Sequence, residues 1–107
     1  MVNITFNPNE FKLEIKGHAG QDEKGHDIVC SALSILFFTL AQSLNLSERM
    51  LEESPSIHME YGNGQVKCQP KAEYVGNISL VYWTIMNGIE LLVNEYPQYI
   101  TFKVEDE

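Results

Sequence analysis

The chain has 107 residues, 44% of them hydrophobic and 21% charged, a balance that fits one globular domain with a single core. Its 7 Lys and Arg stand against 15 Asp and Glu, a formal net charge of −8. Charge of that sign repels phosphate backbones and anionic lipid, which excludes nucleic acid and membrane surfaces as expected partners and favours a basic peptide or protein.

Cys30 and Cys68 are too few for a disulfide framework, and the sequence starts at Met1-Val2-Asn3 without a signal-peptide pattern. Both features predict a reducing, cytoplasmic setting. The longest apolar run, Ile35-Leu36-Phe37-Phe38, is far short of the roughly 20 residues that cross a bilayer.

Val2, Ile4 and Phe6 alternate with polar residues and predict a first strand. Asn7-Pro8-Asn9-Glu10 is turn chemistry, and Phe11, Leu13 and Ile15 form a second strand ending near Gly17-His18. Residues 19–26 show no apolar periodicity and read as a loop. Asp27 is a predicted N-cap, after which 28–46 contain neither Gly nor Pro and are apolar on most sides, the mark of a central helix.

Ile57, Met59 and Tyr61 alternate with His58 and Glu60, and Gly62-Asn63-Gly64 predicts a hairpin returning through residues 66–71. Asn77 is the expected cap of a second helix, with apolar residues at Ile78, Val81, Tyr82, Ile85, Ile89, Leu92, Val93 and Tyr96 and a stop at Pro97. Ile100, Phe102 and Val104 form a last strand. The order ββαββαβ predicts an α+β fold, two helices on a mixed or antiparallel sheet, with residues 1–107 as one domain.

The stretch with chemistry in it is Gly17-His18-Ala19, followed by Gly25-His26-Asp27-Ile28-Val29-Cys30. With Asp27 as cap, Cys30 is the third helical residue, where free N–H groups and the positive end of the helix dipole favour a thiolate. An intervening loop can return His18 to the helix start, and a Cys–His pair needs only that contact. By spacing alone, an isolated cysteine is more often a small buried hydrophobe. Asp27 reads as the N-cap or as a third catalytic member orienting His18. Ser34, one turn beyond Cys30, reads as a partner of the sulfur or substrate, or as a serine bonded to its own helix. Gly17 permits a close backbone approach or simply ends the strand. Val29, Cys30 and Ser31 offer candidate backbone donors for an oxyanion.

These paired motifs resemble those of the ribosomal-processing cysteine proteases of the Prp family, and length and strand–helix order are similar as well. Ser31 departs from the commoner alanine after the cysteine, and His26 adds a second imidazole without an expected catalytic role. The resemblance implies Cys30 as nucleophile and His18 as general base, with Gly17, Asp27 and Ser34 in support. It implies removal of a hydrophobic N-terminal extension from a precursor of a large-subunit ribosomal protein, by a homodimer with a mobile loop between the catalytic residues and without metal or cofactor.

Cys68 reads as structural, His58 as solvated, and Phe37, Phe38 and Trp83 as core or dimer-interface residues. Two other functions compete: a metal site formed by His18, His26 and Cys30, and a non-catalytic module that binds a ribosomal protein during assembly.

Overall fold

The computed structural model describes residues 1–17, 26–60 and 62–105, with only the backbone at positions 26 and 27. The predicted loop, His18 and Tyr61 lie outside them.

Strands β1 (Val2–Asn7) and β2 (Lys12–Lys16) form the first hairpin. Asn7 shapes its turn: Oδ1 accepts the N–H groups of Asn9 (3.0 Å) and Glu10 (3.1 Å), an Asx arrangement that lets a buried amide substitute for backbone partners. The second hairpin joins β3 (Ser56–Glu60) to β4 (Asn63–Lys67). Glu60 pairs with Asn63, and Gly62, just ahead of Asn63, has φ 83°. The Asn63-Gly64 dipeptide, expected in the turn, instead opens β4. Packing decides this: a Cβ at residue 64 would lie 2.8 Å from the Phe37 ring, so the Gly is needed beneath an aromatic rather than for its torsion angles.

Strand β5 (Ile100–Val104) pairs parallel with β1, and the sheet order β3-β4-β2-β1-β5 is otherwise antiparallel. The sheet is therefore mixed. Helices α1 (His26–Leu46) and α2 (Val75–Glu95) pack on one face of it. The element order is the predicted ββαββαβ, with two short 3-10 turns, Glu48–Met50 and Ala72–Tyr74, added before β3 and α2.

Among the described residues α1 already includes His26 and Asp27, and α2 starts two residues ahead of Asn77, because the 3-10 turn at Ala72–Tyr74 runs directly into the helix. Asp27 and Asn77 are thus first-turn residues, and Tyr74 is the N-cap of α2. Pro97 follows the end of α2 as expected.

Val29, Leu33, Phe37, Leu40 and Leu44 form a buried stripe on α1 that meets Ile4, Phe6, Leu13 and Val66 from the sheet. Ile28–Leu46 is also long and apolar enough, by length and composition, to cross a membrane, which the four-residue run in its middle does not suggest. In the fold its stripe fills the core. Gly88 lets the two helices approach, since a Cβ there would stand 2.8 Å from Leu36 Cδ2. The opposite sheet face is polar and carries Lys12, Lys16, Lys67 and Lys103, four of the chain's seven cationic residues.

Candidate active site

Beyond Lys16, the chain passes through Gly17 with φ 97°. Only glycine enters that region without strain, and a Cβ would stand 2.6 Å from the Met1 carbonyl oxygen. Both expectations for Gly17 therefore hold: it closes the strand and permits a close backbone approach. Its N–H donates to Asn63 Oδ1 at 3.1 Å, tying the end of β2 to the start of β4.

The buried Val29 and Leu33 fix the rotation of α1 on the sheet, which leaves Cys30 and Ser34 partly buried at the rim of the core. These two stand one turn apart, and Phe38 continues the row a further turn along. Gly17, Cys30, Ser34, Phe38 and Met59 line one cavity of about 250 Å³, with Val2 and Ile15 also in its wall. Phe38 is 50% exposed and Met59 38%, so the wall away from the sulfur is apolar and open to solvent. Three of the five predicted site residues meet at this cavity. His18 and the side chain of Asp27 lie outside the described residues, so neither the general base nor a third catalytic member is placed.

With α1 starting at His26, the N–H groups of Cys30 and Ser31 fall opposite the carbonyls of His26 and Asp27, four residues back. They belong to the helical ladder rather than to the uncommitted donors of the first turn, which end at Ile28. The expected oxyanion donors at Cys30 and Ser31 are corrected accordingly: the helix starts too early to leave them unbonded. Cys30 is the fifth described residue of α1, deeper in the helix than the expected third position.

Cys68 lies elsewhere, 7% exposed, with its sulfur 3.6 Å from the Tyr82 hydroxyl. Burial pushes its thiol up, against a smaller opposing effect of the Tyr82 hydrogen bond, which suits a structural thiol. Burial, with Cys68 adding to it, likewise holds Tyr82 in its neutral form, and the phenol donates to the Phe11 carbonyl at 2.6 Å. Neither cysteine is in a disulfide. His58 is exposed, as expected. Of the three aromatics expected in the core or an interface, Phe37 is fully buried, Phe38 opens onto the cavity, and Trp83 is 41% exposed with its ring edge against Phe6. Among the described residues, no group of three His, Cys, Asp or Glu is placed to hold a metal. Of the three ligands of the competing metal site, His18 and the side chain of His26 lie outside what is described.

The contributions of Asn63 and Met59 were not foreseen. Strand parity would have put Met59 on the helix-covered face, but the link from Asn63 to Gly17 is a contact between residues 46 apart that no local pattern signals.

Cys30 thus stands partly exposed on a helix at the edge of an open cavity with apolar walls. The model of the family described as cysteine protease Prp matches residues 1–101, and the chain is a cysteine protease. It belongs to the Prp family. A ribosomal processing cysteine protease Prp from Mycoplasma pneumoniae is 31% identical over 106 residues, covering 96% of this chain and 94% of that protein. Its Staphylococcus aureus counterpart is 27% identical over 101 residues, covering 92% of each. The fold is shared with the crystal structure of the S. aureus ribosomal processing protease Prp carrying a covalently linked product peptide (TM-score 0.75, 20% identity, 98% of this chain and 100% of that one). A Streptococcus mutans protein is similar at TM-score 0.73 and 23% identity, over 99% of this chain and 93% of that one.

Proposed function

We propose that this protein is an endopeptidase that removes the hydrophobic N-terminal extension of a large-subunit ribosomal protein precursor, with Cys30 as nucleophile and His18 as general base. The observation that carries the reading is the single cavity shared by Gly17, Cys30 and Ser34, walled by the exposed apolar side chains of Phe38 and Met59. In the proposed reaction the His18 imidazole takes the Cys30 thiol proton, and Sγ attacks the scissile carbonyl carbon. The tetrahedral adduct collapses with cleavage of the C–N bond, and the imidazolium protonates the leaving amine. Water, deprotonated by His18, then hydrolyses the thioester and returns both side chains to their starting state. Ser34 borders the same cavity and is assigned to orienting the sulfur or the substrate.

The excess of acidic residues suits a basic ribosomal protein as substrate, in the cytoplasm where such precursors are made. A homodimer is part of the proposal. Ile35 and Leu91, 68% and 71% exposed, flank an apolar groove between α1 and α2, surface of the kind a second copy covers. Light scattering should give twice the 12.2 kDa chain mass, and a 12.2 kDa species at every concentration would remove the dimer.

The test is to incubate a precursor carrying its N-terminal extension with wild type and with Cys30→Ala. Wild type should release the extension, whereas Cys30→Ala should leave it in place. No cleavage by either, with tight binding by both, would replace the protease with the competing reading, a non-catalytic assembly module.

A further inference from the structure

The cavity does not end at the sulfur. Cys30, Ser34 and Phe38 follow one another at helical-turn intervals along one side of α1, so the row is about 12 Å long. An extended peptide spans that length in about four residues. Across from the row stands Met59 of β3, and β3 is the outer strand of the sheet, paired with β4 alone among the described residues. In an antiparallel pair, every second residue of an edge strand turns its N–H and C=O away from its partner. Among the described residues, strand β3 therefore carries unused backbone donors and acceptors alongside a groove that leads to the thiol. It has no proline, and Ser56, His58, Met59 and Glu60 are all exposed.

The geometry points to substrate recognition by strand addition. One flank of the peptide being cut pairs with β3 as a sixth strand, and one of its apolar side chains lies between Phe38 and Met59. The occupant is an extended peptide with an apolar residue about four positions or fewer from the scissile bond. This inference rests on the protease reading and adds to it a source of affinity independent of side chains: the ladder sets the register, and the Phe38–Met59 wall selects the residue. It also explains why an open cavity of about 250 Å³ suffices for a peptide, since most of the recognition surface is the strand edge beyond it.

The test uses a peptide spanning the cleavage point of the precursor, with single amide-to-ester replacements walked along both flanks. An ester removes one N–H donor and adds almost no bulk. Strand addition is expected to give a profile of period two on one flank: kcat/KM falls about fivefold to tenfold at alternate positions and stays within about twofold between them. Replacing the apolar residue with Ala should lower kcat/KM without changing which ester positions are sensitive, because the ladder and the wall act separately. A parent peptide cut by wild type but showing a flat profile, or sensitivity without alternation, overturns strand addition while leaving the protease standing. A parent peptide that wild type does not cut overturns both. Because the changes are made in the substrate, folding of the protein does not enter the comparison.

Discussion

Gly17 shows how much one residue can impose on a site. Its φ of 97° and the Met1 carbonyl 2.6 Å from any Cβ mean that Gly17→Ala must either distort the end of β2 or displace the start of β1. The expected cost is about 1–3 kcal/mol of stability, read by urea denaturation. A larger fractional loss in kcat/KM is expected as well, because the residue borders the cavity and immediately precedes His18. Unchanged stability and activity would show that the N-terminal strand yields freely. Gly17 was legible as a glycine before a histidine. Its bond to Asn63 was not, because tertiary structure alone brings the two together. Tyr82 teaches the same lesson: helical spacing put it in the core, but nothing local shows its phenol reaching back to the Phe11 carbonyl.

The elements were legible wherever hydrophobic period and turn chemistry agreed. Alternation found β1, β2, β3 and β5, and the apolar spacing from Ile78 to Tyr96 found α2. Boundaries moved where packing outweighed local signals. Gly64 sits in β4 because the Phe37 ring occupies the space of its missing side chain. The caps expected at Asp27 and Asn77 became first-turn residues once the helices extended toward their N-termini.

Strand β2 offers an electrostatic check on the sheet. Burial alone would raise the Glu14 carboxyl, but Lys12 at 3.2 Å and Lys16 at 3.4 Å outweigh it and hold the group below its ordinary 4.5. A carboxyl lowered in the folded state contributes stability above its unfolded value, and that contribution is lost as pH falls through the folded value. Glu14→Gln is therefore expected to be less stable than wild type at pH 7, by at most about 1 kcal/mol for partly exposed ion pairs. The two should converge in denaturant melts as pH falls below the lowered folded value and the Glu14 carboxylate is protonated. A difference that persists in acid would mean that the lost contribution is packing rather than charge.

For the whole molecule, the net charge of −8 is unevenly spread. Four of the seven cationic residues lie on the open sheet face, which leaves the remaining surface more acidic than the total implies. If that surface attracts a basic ribosomal precursor, kcat/KM for the full-length substrate should fall severalfold between low and physiological salt. A short neutral peptide spanning the same bond should be cut at a rate nearly independent of salt. Equal salt dependence for both would place the attraction in the cleft rather than across the surface. Fold class and family were legible from element order and from the paired motif around His18 and Cys30. The apolar wall of the cavity was not, because Phe38 and Met59 belong to separate elements that meet only in the folded chain.

Attack of the Cys30 sulfur on the substrate carbonyl leaves a covalent trace, which a single-turnover reaction with the precursor, quenched in acid and followed by mass spectrometry of the digested enzyme, would reveal. The expected result is a thioester-linked N-terminal extension on the fragment containing Cys30, with no adduct and no cleavage for Cys30→Ala. An extension on Cys68, or release of the extension by Cys30→Ala at the wild-type rate, would contradict the account.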